Sequence, residues 1–120
     1  MIEVTQSGAQ LTVRLSGTVT QHDYSAVLEP AMEAALKAEP KLLVLAVVGE
    51  DFQGYDMAAA WEDTKLGLSH LGAFDRIAIC SDLGWVSTAV RAAAVFLPYP
   101  VKAFPLTEEP SAREWLTMPK

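Results

Sequence analysis

The sequence predicts an α/β domain with a mostly parallel sheet flanked by helices. Apolar and polar residues alternate in Ile2–Gln6 and Leu11–Ser16, which indicates an N-terminal β-hairpin. The runs Lys41–Val48 and Phe74–Cys80 are rich in apolar residues and indicate strands buried within a sheet. Helical spacing between strands gives the order β-β-α-β-α-β-α-β-α, with β-α crossovers. We expect residues 1–120 to form a single domain, since this length suits one core.

The first helix has recognisable start and stop signals. Thr20 and Asp23 match a capping box, with Thr20 as the N-cap and Asp23 at the third helical position. Pro30 lies inside the helix, where it should bend the helix or delay its start. Glu39–Pro40 should end it.

Three further helices and one short strand follow the first buried strand. An apolar stripe predicts the second helix, with Gly72 just after its end. The stripe consists of Met57, Ala60, Trp61, Thr64, Leu68 and Leu71. The third helix should run from about Trp85 to Leu97 and stop before Pro98. Val101–Phe104 is the last strand, and a capping box at Ser111–Glu114 should open the final helix.

The third helix is apolar on nearly all sides, with Arg91 as its single charge. Such a helix is expected to be buried on more than one face. The sheet covers one face. The other cover is a neighbouring helix, a second subunit or an apolar ligand, and the sequence leaves these three open.

Charge and cysteine content exclude several classes of partner and location. Nine Lys and Arg residues stand against fifteen Asp and Glu, a net charge of −6 that disfavours nucleic acid and anionic membrane surfaces. The single Cys80 fits a reducing compartment. The N-terminal residues lack the pattern of a secretory signal, and the most apolar run without a charge, Leu42–Gly49, is too short to span a membrane. We therefore expect a cytoplasmic protein without a membrane span.

The order of these segments resembles the SpoIIAA-like family, a group related to STAS domains. The resemblance extends over nearly the whole chain. Besides the hairpin, its segments are Lys41–Val48, Phe52–Gly54, Ala60–Asp63, Arg76–Ile79, Ser81–Asp82 with Trp85, and Phe104 with Ala112–Leu116. It implies a SpoIIAA/STAS-like fold, which bacterial anti-sigma-factor antagonists share with lipid-carrying CRAL-TRIO domains. It implies no established reaction.

One loop departs from the pattern of STAS-type antagonists. The resemblance implies a phosphorylated Ser or Thr in the loop after the third strand, where the added charge of about −2 would switch partner binding. The corresponding loop, Gly49–Asp56, contains neither residue, and Tyr55 supplies its one hydroxyl. We therefore expect no phosphoserine switch here.

The candidate binding surface lies where the strands of a parallel sheet end, because ligands of such sheets bind beyond the carboxyl ends of the strands. The loops Thr18–Asp23, Gly49–Asp56 and Ser81–Trp85 meet this criterion. The candidate surface residues are Asp51, Tyr55, Asp56, Ser81, Asp82 and Trp85. Tyr55 and Trp85 are the expected anchors.

The same loops predict no catalytic, metal or cofactor site. His22 beside Asp23 is best explained as a solvent-facing residue next to a helix cap. Asp51, Asp56 and Asp82 lack the spacing of a known cation motif, and Ser81 lacks a neighbouring base.

The expected function is therefore that of a non-enzymatic regulatory module that binds a protein partner or a second copy of itself, as a homodimer. The alternative, implied by the likeness to CRAL-TRIO domains, is a carrier of a small apolar molecule, with a cavity between the sheet and the helices carrying Trp61 and Phe96. No cofactor is expected in either case.

Overall fold

The computed structural model describes residues 1–56 and 71–119 of the chain. The strands within these residues are β1 (Ile2–Ser7), β2 (Gln10–Leu15), β3 (Thr18–Val19), β4 (Leu42–Val48), β5 (Gly54–Tyr55), β6 (Phe74–Cys80) and β7 (Val101–Phe104). The α-helices are α1 (Gln21–Asp23), α2 (Glu29–Ala38), α3 (Gly84–Ala94) and α4 (Glu109–Thr117). The predicted second helix, with Trp61, lies outside the described residues; Gly72 is in a 3-10 turn, Leu71–Ala73.

The main sheet has five strands in the order β1-β2-β4-β6-β7. β1 and β2 form the predicted antiparallel hairpin, and a turn residue with positive φ, Gly8, connects them. Every other pairing in this sheet is parallel. The predicted N-terminal hairpin and mostly parallel sheet flanked by helices are therefore confirmed.

A second, two-stranded sheet was not predicted. β3 and β5 pair in parallel, with Thr18 opposite Gly54 and Val19 opposite Tyr55. Both segments lie in predicted loops, Thr18–Asp23 and Gly49–Asp56, and the prediction of loop structure for them is wrong. Each strand is only two residues long, so neither is long enough to show an alternating pattern.

The first helical stretch confirms the capping box at Thr20. The N–H of Asp23 donates to Thr20 Oγ1 at 3.3 Å, and the N–H of Thr20 donates to Asp23 Oδ2 at 2.9 Å. This backbone hydrogen bond from Thr20 is the main cause of a lowered pKa for the Asp23 carboxyl. Pro30 delays the regular helix as expected. A π-helical turn, Tyr24–Leu28, precedes α2, and Pro30 falls in the first turn of α2, where no N–H is required.

Helix α3 differs from its prediction in length and in burial. It ends at Ala94 rather than Leu97. Val86 and Val90 are its buried residues, whereas Val95 and Phe96, just beyond its end, are 78% and 86% exposed. Within a single chain, Val86 and Val90 are thus the buried residues of α3, and cover of its other side by a second subunit or an apolar ligand stays a prediction. Alanine side chains tolerate exposure because they carry little apolar surface.

Helix α4 begins three residues earlier than the predicted capping box places it. Its first residue is Glu109, the N-cap is Glu108 without a side-chain cap, and Pro110 lies in the first turn. The predicted capping box at Ser111–Glu114 is therefore wrong. Pro110 favours the earlier start, since proline is well suited to the first turn of a helix.

The main sheet separates two apolar clusters. The larger one packs the hairpin, β4 and β6 against the first helical stretch, with Leu11, Val19 and Leu42 almost fully buried. The smaller one packs β4, β6 and β7 against α4, around Leu45 and Leu116. Among the described helices, none combines the length and apolar character that crossing a membrane requires.

Candidate functional site

Backbone hydrogen bonds join the segment after β2 to the loop after β4. The N–H of Gly17 donates to the carbonyl of Asp51 at 3.2 Å, and the N–H of Gln53 donates to the carbonyl of Gly17 at 2.8 Å. The N–H of Asp56 donates to the carbonyl of Val19 at 3.0 Å. Together with the β3–β5 pairing, these bonds fix the two predicted surface loops to each other.

Asp51, Tyr55 and Asp56 are the predicted surface residues of the loop after β4. Asp51 and Asp56 are exposed. A Cβ atom placed on Gly49 would lie 2.9 Å from Asp51 Oδ1 and 3.2 Å from the carbonyl oxygen of Leu15, so a side chain there would displace the Asp51 carboxylate and press on the Leu15 carbonyl. Tyr55 contributes its backbone to β5.

Ser81 and Asp82 stabilise the loop after β6. Ser81 Oγ accepts a hydrogen bond from the N–H of Leu83 at 3.0 Å. Asp82 Oδ1 accepts one from the N–H of Leu106 at 3.0 Å, which ties this loop to the turn after β7. Both side chains thus have structural partners at the rim of the sheet.

Trp85 is the most prominent apolar side chain of this edge. It lies at the start of α3, is 56% exposed, and packs against Phe52 with ring centroids 6.4 Å apart. Phe52 belongs to the loop after β4 and is buried. The aromatic pair therefore joins the loop after β4 to the beginning of α3. Phe52 was not among the predicted surface residues, although its loop was.

An apolar cavity of about 410 Å³ opens behind this aromatic pair. Its described walls come from β2, β4 and β6 on one side and from α2, α3 and the helical turn before α2 on the other. Ala46, Ile77 and Ile79 are only half-buried on this face of the sheet. Central strands normally bury such residues, so the face is incompletely covered.

The cavity extends along the strand direction. Phe52 and Trp85 line it beyond the carboxyl ends of β4 and β6, whereas Phe74 begins β6 and Tyr99 lies just before β7. Because β6 and β7 are parallel, these two residues line the opposite end. Their rings pack edge to face with centroids 5.6 Å apart.

Tyr99 is the functional candidate that sequence reasoning missed. It is 9% exposed, and burial raises the pKa of its hydroxyl above the ordinary value. Its one sequence signal is weak: an aromatic residue between Pro98 and Pro100, immediately before the last strand.

On the face of the main sheet opposite the cavity, charged side chains lie between the sheet and α4. Arg14 donates two hydrogen bonds to the Glu109 carboxylate, at 3.1 and 3.2 Å, and Arg113 donates to the same group at 3.3 Å. The hydrogen bonds from Arg14 are the main cause of a lowered pKa for Glu109. Arg76 is buried, donates to the carbonyl of Trp115, and lies 5.6 Å from the centroid of its ring. These groups fasten α4 to the sheet.

The described residues form no arrangement suited to acid–base or metal chemistry. His22 is exposed, and Asp23, its neighbour, is occupied by the capping box. No three His, Cys, Asp or Glu side chains converge within residues 1–56 and 71–119. The geometry found here, an exposed tryptophan above an apolar cavity, serves binding.

A SpoIIAA-like family model matches residues 10–117. The chain belongs to the SpoIIAA-like family. The resemblance of the sequence to this family is thereby confirmed. The SpoIIAA-like match includes every described strand of the main sheet except β1, together with helices α1–α4.

Two solved structures agree with the SpoIIAA-like assignment. An uncharacterized protein of the DUF3478 family from Shewanella loihica PV-4, described as having a SpoIIAA-like fold, is 30% identical; the match covers 97% of this chain and 92% of that one, with a TM-score of 0.79. The anti-sigma factor antagonist SpoIIAA in its unphosphorylated form shares the fold at 12% identity and a TM-score of 0.63, over 98% and 100% of the chains. The search of curated proteins finds no match.

Proposed function

We propose that this protein is a non-enzymatic regulatory module that acts by binding another protein at the edge formed by the loops after β4 and β6. Two observations support the proposal: membership of the SpoIIAA-like family, and the fold shared with an anti-sigma factor antagonist. The observation that carries it is Trp85, a large aromatic side chain that is 56% exposed and held in place by Phe52. We propose a cytoplasmic location, in keeping with the single buried cysteine.

The surface has the composition of a small protein interface. Aromatic anchors contribute most of the binding energy at such interfaces, and Trp85 serves as the anchor of this one. Asp51, Asp56 and Asp82 belong to the same two loops, are exposed, and favour a partner with basic residues in its contact surface. Tyr55 and Ser81 complete the proposed surface.

Phosphorylation of a serine or threonine does not control this surface in our proposal. The loop Gly49–Asp56 contains no Ser or Thr, so the chain lacks the residue that would take the phosphate. The acidic side chains Asp51 and Asp56 give the loop a permanent negative charge instead.

The test is capture of partners by tagged wild-type protein, compared with Trp85→Ala and with the control variant Phe96→Ala. Both residues are exposed aromatics, but Phe96 lies beyond α3 and outside the proposed surface. We expect a partner that binds wild-type protein and Phe96→Ala equally well. The affinity of Trp85→Ala for the same partner should be lower by about 10-fold or more. Sedimentation of each protein shows whether that partner is a second copy. Capture that Trp85→Ala leaves unchanged would contradict the proposal, as would a monomer with no partner.

The cavity favours a second function, carriage of a small apolar molecule. Its volume of about 410 Å³ falls within the range of about 300–1,000 Å³ typical of ligand sites. A molecule that binds the folded protein raises its melting temperature in proportion to the logarithm of ligand concentration. We expect delipidated protein to show such a shift with an apolar ligand, and no shift with any member of a panel of fatty acids and isoprenoids would argue against this function.

A further inference from the structure

The described walls of the apolar cavity bear on the charge of a ligand that it takes. Its described lining residues include no Asp, Glu, Lys, Arg or His. An ion moved from water into apolar surroundings without a counter-ion loses its hydration and gains nothing in return. The described part of the lining therefore disfavours a carboxylate or an amine.

The arginines of the sheet are turned away from the cavity. Arg14 is paired with Glu109, and Arg76 donates to the carbonyl of Trp115, both of which belong to α4 on the opposite face. Neither side chain lines the cavity. A buried anion would thus find no cationic partner among these residues.

One polar group at the far end of the cavity is available to a ligand. The hydroxyl of Tyr99 makes no hydrogen bond to the part of the chain that the structure describes, although the residue is nine-tenths buried. Among the described residues, every fully buried side-chain oxygen or nitrogen has a hydrogen-bond partner. Since the Tyr99 hydroxyl has none, it is not fully buried and retains some accessible surface. A ligand oxygen beside it would replace the missing hydrogen bond.

We propose that the cavity selects a neutral apolar molecule with one hydrogen-bonding oxygen, such as a long-chain alcohol, and that Tyr99 binds this oxygen. The proposal rests on the carrier function above and specifies its ligand class. The ligand enters past Phe52 and Trp85 and places its oxygen at the end formed by Phe74 and Tyr99. The chain of the molecule then contacts Ala46, Ile77 and Ile79, the half-buried residues of the sheet.

The experiment compares 1-decanol with decanoate at a pH where the acid is ionised, by calorimetric titration of delipidated protein. Tyr99→Phe removes only the hydroxyl, and Ala46→Leu fills part of the cavity from β4; thermal unfolding shows that each variant is folded. We expect wild-type protein to bind the alcohol about 10-fold or more tightly than the anion. Tyr99→Phe should weaken alcohol binding about 3- to 10-fold. Ala46→Leu should weaken binding of both ligands.

The outcomes separate the proposal from the function on which it rests. Decanoate binding as tightly as 1-decanol overturns the selectivity while leaving the carrier function in place. Alcohol affinity unchanged by Tyr99→Phe overturns the role of that residue, and affinity unchanged by Ala46→Leu places the alcohol outside the cavity. If neither ligand binds, the carrier function fails together with the inference.

Discussion

Gly17 has a backbone conformation that other residues adopt at a cost. Its φ is +57°, and its N–H and carbonyl hold the loop after β4. A Cβ atom there would meet no other atom within 4 Å, so the cost of a side chain is conformational. We expect Gly17→Ala to lower the free energy of unfolding by about 1–2 kcal/mol, measured by urea denaturation.

Gly84→Ala is the matched control for Gly17. A Cβ atom on Gly84 also meets nothing within 4 Å, but its φ is not positive, and it begins α3. Its free energy of unfolding should change by no more than about 0.5 kcal/mol. Equal effects of the two substitutions would show that Gly17 is under no conformational constraint.

Cys80 is completely buried at the end of β6. Its side chain lies in the cluster under α4, and burial raises its pKa to about 11. Since the thiolate is the reactive form, native protein at mildly alkaline pH should react with a thiol reagent about 100-fold or more slowly than protein in denaturant. If Cys80 in the native protein reacted as fast as the thiol of a small molecule in solution, the result would contradict this burial.

Glu109 links the start of α4 to the sheet, and its contribution depends on pH. Its pKa is lowered from an ordinary value of 4.5 by the hydrogen bonds from Arg14 and, to a smaller degree, by Arg113. A carboxyl with a lowered folded-state pKa stabilises the fold while ionised, and this stability is lost as the pH falls below 4.5 and through the lowered value. Because the side chains are partly exposed, the contribution is about 1 kcal/mol or less.

The variant Glu109→Gln isolates this contribution from those of other acidic groups. We expect it to be less stable than wild-type protein at neutral pH, and the difference to shrink as the pH falls below 4.5 and through the lowered pKa, in thermal unfolding at a series of pH values. Glu108→Gln is the control, since its side chain is exposed just before the helix. A difference for Glu109→Gln that stays constant across this range would mean that the ion pairs contribute nothing.

Helix and strand boundaries were predictable where the residues that determine them are close in the sequence. The contacts between Thr20 and Asp23 span three residues, and the sequence pattern alone identified them. The start of α4 was misassigned because Ser111–Glu114 fits a capping box as well, whereas Pro110 and the ion pair of Glu109 favour an earlier start. Arg14 and Glu109 are 95 residues apart, and no local pattern connects them.

The two faces of the main sheet differ in how completely they are packed. Leu45 faces α4 and is 0% exposed, whereas Ile79, on the next strand, faces the cavity and is half-buried. Leu45→Ala should cost about 2–5 kcal/mol, because it leaves a closed void. Ile79→Ala should cost about 1–2 kcal/mol, because its neighbourhood is already open. Urea denaturation measures both, and equal costs would contradict the asymmetry.

The sequence identified the fold class. It raised a cavity between the sheet and its helices only as one alternative, and no residue pattern indicated the size or lining of that cavity. Buried strands, turns and helix caps leave periodic or local patterns, and these were sufficient for the main sheet. The cavity depends on how far α2 and α3 lie from Ala46, Ile77 and Ile79, a distance that no residue pattern encodes. Tyr99 is a candidate ligand-binding residue because it lines this cavity.

The short ladder between β3 and β5 limits how the chain can vary in length. Thr18 and Val19 must face Gly54 and Tyr55 while β2 and β4 keep their own register in the main sheet. An insertion in either connecting segment would shift one ladder against the other. Homologues should therefore tolerate added residues poorly here, and a permuted chain would need its new ends elsewhere.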